Sequence, residues 1–213
     1  MKLPRRPTWS WRRAARPRRV LVIYCHPLDD SLIGAARRRV EAGLASAGAE
    51  VRLHDLYAEG FVPELSAEEH RTHTQPGVVA ELASHADDLR WADTLVFVYP
   101  TWWSGQPAML KGWIDRVFAA GVAWELPEGA DRLRPMLRNI HRIVAVTSHG
   151  STKLMNAAQG ESGKRTLFRS VRTMCHPLAR THWVSFYGVD VRSDEDRSEF
   201  LDRVERRVAE LTS

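Results

Sequence analysis

The chain has 213 residues, of which 44% are hydrophobic and 27% are charged. These values suit one globular domain and exclude a wholly disordered chain, a collagen and a coiled coil. No window approaches the run of about 18 apolar residues that a membrane-spanning helix needs. The two cysteines, Cys25 and Cys175, form no CxxC pair, which fits a protein of the reducing cytoplasm.

The net charge of +5 comes from one end of the chain. Eight of the 31 basic residues lie within residues 1–19, which hold no acidic residue, so 23 bases face 26 acids in the remainder. Residues 20–213 are therefore mildly acidic, which counts against nucleic-acid binding by this part. Residues 1–19 also contain three prolines and lack the apolar stretch of a signal peptide, and we expect a disordered basic extension. It is either dispensable or a contact for a polyanion or a membrane surface.

Five segments are predicted to be β-strands, because each is a short apolar or alternating run between turn residues. In chain order they are residues 20–25, 51–56, 94–99, 140–147 and 183–188. Helices are predicted between and after them from apolar residues spaced three or four apart. The first begins at an N-cap of Asp30 or Ser31 and ends at Gly48, and the others cover residues 77–91, 107–118, 160–174 and 194–211. Residues 55–67 are predicted to be a loop.

Strands that alternate with helices form a parallel sheet covered on both faces, and right-handed crossovers favour an open, doubly wound sheet. The sequence therefore predicts one α/β domain over residues 20–213. In such a sheet, ligands bind beyond the carboxyl ends of the strands. Three loops meet this condition, at residues 26–31, 100–106 and 147–153.

The first of these loops leads from His26 to Ser31 into the predicted first helix. A helix N-terminus has unpaired N–H groups and a partial positive charge, so it binds phosphate, and His26 and Ser31 can add donors. The alternative is ordinary capping of the helix by Asp30 or Ser31. No GxGxxG motif and no P-loop motif occurs, which disfavours a Rossmann dinucleotide fold and a P-loop NTPase.

The second loop contains the adjacent pair Trp102 and Trp103, followed by Ser104 and Gly105. Two adjacent tryptophans in a loop cannot both point into the core, so at least one is available to stack on a flat ligand. Gly105 allows a backbone to come close to such a ligand. The alternative is a tryptophan pair at a dimer interface, and both interpretations hold if the ligand site lies at that interface.

The segment that contains this pair reads PTWWSGQPAMLKGWIDRVF over residues 100–118. It resembles the NAD(P)H:quinone oxidoreductase family of flavodoxin-like flavoproteins, whose pattern there is roughly P-x-x-W-F/S-G-x-P-A-x-L-K-G-W-x-x-R-V-F. Three weaker matches agree, namely DLY at residues 55–57 with Phe61 and Pro63, His26 with Ser31, and TSHGS at residues 147–151.

The resemblance implies a three-layer flavodoxin-like sandwich with five parallel strands in the order 2-1-3-4-5, and a homodimer. It implies a bound flavin, FAD in preference to FMN, with NAD(P)H as co-substrate and a quinone or similar flat acceptor reduced by two-electron ping-pong turnover. The backbone N–H groups of Trp102, Trp103 and Ser104 would face the O4 and N5 edge of the flavin. The other implied cofactor-binding residues are His26 and Ser31 at the phosphate, Pro100, Thr101 and Gly105 in the second loop, and Thr147, Ser148, His149 and Gly150 at the pyrimidine end.

The chain departs from the family pattern at positions near the implied flavin. Ile33 and His149 stand where the family has an asparagine and a glycine, and the tyrosine and histidine that assist hydride transfer in the mammalian enzymes have no match. The implied catalytic candidates are Trp103, as an apolar wall, and His149 or Lys153, as groups that stabilise the anionic reduced flavin. No metal site is predicted, since the pair of histidines at residues 70 and 73 has no further ligand at a fixed spacing.

Two other functions stay open. A non-catalytic flavoprotein subunit that regulates a partner such as a transporter would share these motifs, and rapid NAD(P)H consumption with a quinone would count against it. A one-electron carrier of the flavodoxin type fits less well, because the short carriers lack the W-x-G-x-P-A-x-L-K-G-W segment.

Overall fold

A five-stranded parallel β-sheet is the centre of the fold in the computed structural model, which describes residues 18–212. The strands are β1 Arg19–Tyr24, β2 Glu50–Asp55, β3 Thr94–Pro100, β4 Trp124–Glu125, β5 Arg134–Pro135, β6 Arg142–His149 and β7 Arg180–Tyr187. The sheet has the order β2-β1-β3-β6-β7, while β4 and β5 form a separate antiparallel pair. The order 2-1-3-4-5 predicted for the five sheet strands is therefore confirmed. Most of the expected basic extension lies outside the described residues, and Arg19 already belongs to β1.

Helices cover both faces of this sheet. They are α1 Leu32–Ser46, α2 Ala67–Arg71, α3 Ala83–Trp91, α4 Ala108–Val117, α5 Lys153–Ala158, α6 Ser162–Arg165 and α7 Asp194–Thr212. Helices α1 and α7 pack on one face, and α3 and α4 pack on the other. Because both faces are covered, β3 is buried along its whole length and does not alternate with polar residues. The three-layer sandwich is confirmed, and no described helix is both long and apolar enough to cross a bilayer.

The predicted helix over residues 77–91 begins later than the sequence suggests. Gly77 has a φ of 127°, and its N–H donates to the carbonyl of Ala120 at 2.8 Å, so the chain is not helical there. A 3-10 turn at Ala80–Leu82 leads into α3 instead. Pro107 likewise precedes α4 as its N-cap and is not its first residue.

The prediction of a helix over residues 160–174 is also wrong at its start. Gly160 and Glu161 have positive φ values of 86° and 45°, which interrupt the helix before α6. From α6 the chain continues as a wider π-type helix over Thr166–Val171. The sequence does not predict α2, α5 or the β4–β5 pair, because segments this short show no clear hydrophobic period.

Close packing of α4 fixes the loop that connects it to β3. A β-carbon on Gly112 would lie 2.2 Å from the carbonyl oxygen of Pro63, so only glycine permits this approach. Arg116 is buried, and it donates to Glu69 at 2.8 Å and to the carbonyl of Val62 at 2.6 Å. The loop over residues 100–106, which contains Trp102 and Trp103, is therefore held between a buried strand and an anchored helix.

Candidate active site

A cavity of about 780 Å³ lies at the carboxyl edge of the sheet, bordered by the loops after β1, β3 and β6. The strand order reverses between β1 and β3, so the cavity occupies the topological switch point where open α/β sheets bind ligands. Ten of the twelve predicted cofactor-binding residues line it: His26, Ser31, Pro100, Thr101, Trp102, Trp103, Ser104, Ser148, His149 and Gly150. The fold thus brings the three loops to one place, while the roles of the residues stay predictions.

The loop after β1 presents a helix N-terminus to the cavity. Nδ1 of His26 lies 3.0 Å from the backbone nitrogen of Leu28 and 2.9 Å from the carbonyl oxygen of the same residue, so the ring is tied to its own loop in either tautomer. Ser31 caps α1, since its Oγ accepts from the N–H of Gly34 at 3.0 Å and donates to the carbonyl of Leu28 at 2.8 Å. The hydroxyl of Ser31 therefore caps the helix, as the alternative interpretation predicts, and its single hydrogen is donated to the carbonyl of Leu28.

The loop after β3 folds into a tight turn from Trp102 to Gly105. The N–H of Trp102 donates to the carbonyl of Gly105 at 3.2 Å, and the N–H of Gly105 donates back to Trp102 at 2.9 Å. Trp103 and Ser104 have φ values of 49° and 61°, a left-handed conformation that costs a residue other than glycine about 1–2 kcal/mol. The side chain of Trp103 is fully exposed, and that of Trp102 is 43% exposed. The strained turn thus presents aromatic side chains at the cavity.

One expectation for this loop is wrong, and another stays a prediction. The N–H of Trp102 is engaged within the turn, so only the N–H groups of Trp103 and Ser104 are free to meet a ligand there. Gly105 lies outside the cavity, and its φ is not positive. A β-carbon on Gly105 would come no nearer than 3.6 Å to an atom beyond its chain neighbours, the Oγ of Ser162. The described residues thus leave room for a β-carbon there, and the close approach of a ligand to Gly105 stays a prediction.

The segment after α5 holds the turn in place. Oγ of Ser104 donates to Oε1 of Gln159 at 2.7 Å. The carbonyl of Ser104 accepts from the N–H of Gly163 at 2.8 Å and from the hydroxyl of Ser162 at 2.7 Å. Nε2 of Gln106 donates to the carbonyl of Gly163 at 2.7 Å. These four bonds help to offset the unfavourable backbone conformation and keep the tryptophan pair in position.

The end of β6 and the loop after it line the cavity over residues 148–151, whereas Thr147 lies behind the wall. Thr147 is fully buried, and its Oγ1 shares a hydrogen bond of 2.9 Å with Oγ1 of Thr101. It therefore supports the wall and does not face a ligand. Lys153 is exposed at the start of α5 and does not line the cavity, so the geometry does not support its predicted catalytic role.

His149 is 5% exposed, and its ring stacks on that of Tyr187 with 4.4 Å between centroids. Its Nδ1 lies 2.9 Å from Oδ1 of Asn156, and its Nε2 has no hydrogen-bond partner among the described residues. Burial lowers the pKa of His149, so the neutral ring is favoured at neutral pH. A neutral ring supplies no positive charge, and the structure therefore does not favour His149 as an electrostatic stabiliser of an anionic flavin.

Ten backbone N–H groups of residues that line the cavity have no acceptor within residues 18–212. Four come from the loop after β1 and the start of α1, and two each come from the loop after β3, the loop after β6 and the turn after β7. They belong to His26, Ser31, Leu32, Ile33, Trp103, Ser104, Gly150, Ser151, Val189 and Asp190. Backbone N–H groups are strong donors that are costly to leave unpaired away from water, so their convergence indicates a ligand with acceptor atoms on several sides. A phosphate at the start of α1 and a flat heterocycle with acceptors along its edges fit this set.

The charge of the cavity wall is low. No lysine or arginine of the described chain lines it, and its one carboxylate belongs to Asp190. A β-carbon on Gly150 would lie 3.4 Å from Oδ2 of Asp190. Sequence reasoning missed Asp190, Asn156 and Gln159, which also line the cavity. They belong to no sequence motif, and only the fold brings them to this wall.

A cluster of His54, Glu59 and His85 does not line this cavity, and its potential ligand atoms lie within 4.8 Å of one another. Nε1–H of Trp113 donates to Nδ1 of His85 at 3.1 Å, which puts the ring hydrogen on Nε2, the atom nearest Glu59. Burial lowers the pKa of His85 to about 4, so the neutral ring persists. A protonated Nε2 has no lone pair for a metal, and the geometry favours a hydrogen-bonded cluster.

Comparison with known proteins agrees with this architecture. The chain matches the family model described as the flavodoxin-like fold over residues 18–211. It belongs to the flavodoxin-like family. The predicted fold is thereby confirmed from the sequence side as well, and the cavity lies where that fold places its ligand sites.

Two of the three similar proteins reported next have the names of quinone reductases. The ribosyldihydronicotinamide dehydrogenase (quinone) of Mus musculus is 26% identical over 206 residues, which are 86% of this chain and 87% of that protein. The NAD(P)H:quinone oxidoreductase from Methanothermobacter marburgensis has a TM-score of 0.77 at 26% identity, over 91% of this chain and 96% of that one. Smu.1420 from Streptococcus mutans has a TM-score of 0.78 at 30% identity, over 90% of this chain and 98% of that one. The resemblance drawn from residues 100–118 is confirmed.

Proposed function

We propose that the protein is a flavin-dependent NAD(P)H oxidoreductase that transfers hydride, two electrons at a time, to quinones or similar flat acceptors. The observation that carries the proposal is the convergence of ten unpaired backbone N–H groups on one cavity, beside a strained turn that presents a tryptophan. A bound flavin supplies the redox chemistry, because it can accept a hydride from NAD(P)H and pass it on. The names of the similar proteins support the same reaction.

The start of α1 is the proposed phosphate site. The N–H groups of Leu32 and Ile33 are free, and the helix N-terminus adds a partial positive charge. The ring of His26 lines the same part of the cavity and is the third proposed phosphate contact, and its Nδ1 is held by the backbone of Leu28. This site holds an anion through hydrogen bonds and a helix dipole, without a basic side chain.

The other two loops are the proposed holders of the flavin ring system. Free N–H groups at Trp103 and Ser104 on one side, and at Gly150 and Ser151 on the other, are fixed by the surrounding hydrogen bonds. Donors fixed in advance stabilise negative charge as it develops, without reorganisation during the reaction. The exposed face of Trp103 offers an apolar surface on which a nicotinamide or a quinone can stack. We propose that both substrates use this side of the cavity in turn, which gives ping-pong kinetics.

The expected preference for FAD over FMN has no support in the comparisons. The described cavity wall has one helix N-terminus for a phosphate, no lysine or arginine for a second, and a carboxylate on Asp190 that repels one. These features favour FMN in our proposal. Mass analysis of the cofactor released from the purified protein decides between the two nucleotides.

We also propose that the protein is a cytoplasmic homodimer. Both cysteines are free and buried, which fits a reducing compartment. Leu154 and Met155 near the cavity are 81% and 52% exposed, and Trp103 is fully exposed. Exposed apolar side chains that cluster in this way mark contacts with a partner, and the resemblance to the quinone oxidoreductases implies a second copy. Sedimentation analysis at micromolar concentration tests this.

The test of the proposed function is reconstitution followed by turnover. The purified protein, or the protein incubated with FMN or FAD, should bind one flavin per chain, and without oxygen it should oxidise more than one equivalent of NADH or NADPH only when a quinone is present. A protein that neither contains nor takes up either flavin would remove the proposal. Flavin binding without quinone-dependent oxidation of NAD(P)H would favour the regulatory subunit instead.

A further inference from the structure

Asn156 is the one buried residue of α5. It is 3% exposed, whereas every other residue of this short helix is exposed. A helix with so little buried surface has few contacts to fix its position, so the interactions of Asn156 largely decide where α5 lies. The proposed function gives Asn156 no role, although it lines the cavity.

The side chain of Asn156 joins three parts of the loop after β6. Nδ2 donates to Oγ of Ser151 at 2.7 Å and to the carbonyl of Thr152 at 2.9 Å, with a longer contact of 3.4 Å to the carbonyl of Ser151. Carbonyl oxygens only accept, so the NH₂ group faces them and Oδ1 faces His149. Nδ1 of His149, at 2.9 Å, therefore carries the ring hydrogen. Asn156 thus sets the tautomer of His149 and ties its ring to the loop.

The same loop is connected to both neighbouring segments. The carbonyl of Ser151 accepts from the N–H of Gly188 at 3.1 Å, just beyond β7. The carbonyl of Asn156 accepts from the N–H of Glu161 at 3.2 Å, in the turn before α6. Residues 149–152 therefore have one fixed path along the cavity wall, and Asn156 is the centre of the hydrogen bonds that fix it.

We propose that Asn156 is a positioning residue that holds the free N–H groups of Gly150 and Ser151 at the ring-binding side of the cavity. The identity of the ligand rests on the proposed function, whereas the geometry of the loop does not. A hydrogen bond weakens steeply when its donor moves away from the preferred distance and angle, so a displaced loop would hold a ligand less tightly. Loss of the Asn156 amide should therefore weaken flavin binding and not only the stability of the fold.

The variant Asn156→Asp tests this with little change of shape. A carboxylate cannot donate to the two carbonyls, so it repels the loop that the amide holds. Asn139→Asp is the matched control, because the amide of Asn139 likewise donates to backbone carbonyls, at the opposite edge of the sheet. Its Nδ2 donates to the carbonyls of Leu89, Arg90 and Ala92 at 2.6 to 3.1 Å. A purely structural role would affect both variants alike.

Two measurements compare the variants with the wild type. Titration of the flavin-free protein with FMN and with FAD gives Kd, and hydrogen exchange without flavin reports on the amides of Gly188 and Glu161. Asn156→Asp should weaken Kd about tenfold or more and speed exchange at both amides, since a lost buried hydrogen bond costs about 1–3 kcal/mol. Asn139→Asp should leave Kd and both amides near wild-type values, although its Tm falls too.

Unchanged Kd in Asn156→Asp would overturn the inference if the wild type binds flavin. A wild type that binds no flavin would contradict the proposed function, and the exchange measurement would then decide the positioning role by itself. Faster exchange confined to Gly188 and Glu161 in Asn156→Asp supports the role, and equal effects in both variants overturn it. An NMR spectrum that places the ring hydrogen of His149 on Nε2 would overturn it as well.

Discussion

Trp103 combines an unfavourable backbone conformation with a fully exposed side chain, so its replacement should separate stability from function. Trp103→Gly removes the left-handed penalty of about 1–2 kcal/mol, whereas Trp103→Ala keeps it. Ordering a glycine on folding costs about 0.4–1 kcal/mol more conformational entropy than ordering an alanine. The glycine variant should therefore be more stable than the alanine variant by about 0.5–1 kcal/mol, or roughly 1–4 °C in Tm for a chain of this size.

Both variants should lose the stacking surface equally. An aromatic contact of this kind contributes about 0.5–1.5 kcal/mol, so KM for a quinone should rise roughly two- to tenfold in both, and Trp103→Phe should stay near the wild type. Thermal unfolding and steady-state kinetics measure the two effects on the same samples. Because both variants lack the indole, any contact that it makes in a dimer cancels in the comparison. A glycine variant less stable than the alanine variant, or an unchanged KM in both, would refute the reasoning.

Three further predictions concern packing, pH and the basic extension. Gly112→Ala should lower the free energy of unfolding by about 1–3 kcal/mol or more, because its β-carbon would lie 2.2 Å from the carbonyl of Pro63, whereas Gly105→Ala should keep both stability and flavin content in the same unfolding and absorbance assays. Burial holds the pKa of His85 at about 4, below its ordinary value of about 6.5, so unfolding titrations should show stability falling as the pH drops from about 6.5 towards 4, by up to about 3 kcal/mol, and His85→Gln should remove this part of the slope. Deletion of residues 2–17 should leave Tm, flavin content and quinone reduction unchanged, and a marked fall in any of these would show that the segment contacts the domain.

The strands of the sheet were predictable from their apolar or alternating runs, whereas the strand order was implied by the resemblance of residues 100–118 to the quinone oxidoreductases. Val20 to Tyr24 are all buried in β1, and Thr94 to Pro100 are all buried in β3. Ser31 and Gly48 also act as predicted, the first as the N-cap of α1 and the second with a φ of 68° after its end. These signals are local, so a single sequence contains them.

The parts of the site that sequence reasoning missed depend on long-range contacts. Trp103 and Ser104 adopt positive φ, which short-range signals assign to glycine or asparagine, and bonds to the segment over residues 159–163 help to hold them there. Asn156 acquires its role from bonds on both sides of its side chain, and Asp190 comes to the cavity only through the position of β7. No local period or motif reports such contacts.

The most direct test of the central claim is an anaerobic titration of the flavin-loaded protein. One equivalent of NADH or NADPH should bleach the visible absorbance of the flavin completely, and one equivalent of a small quinone should then restore it with release of the hydroquinone. The two half-reactions should proceed separately, as two substrates that use one side of the cavity in turn require. A flavin that NAD(P)H does not bleach, or that the quinone does not reoxidise, would contradict the account.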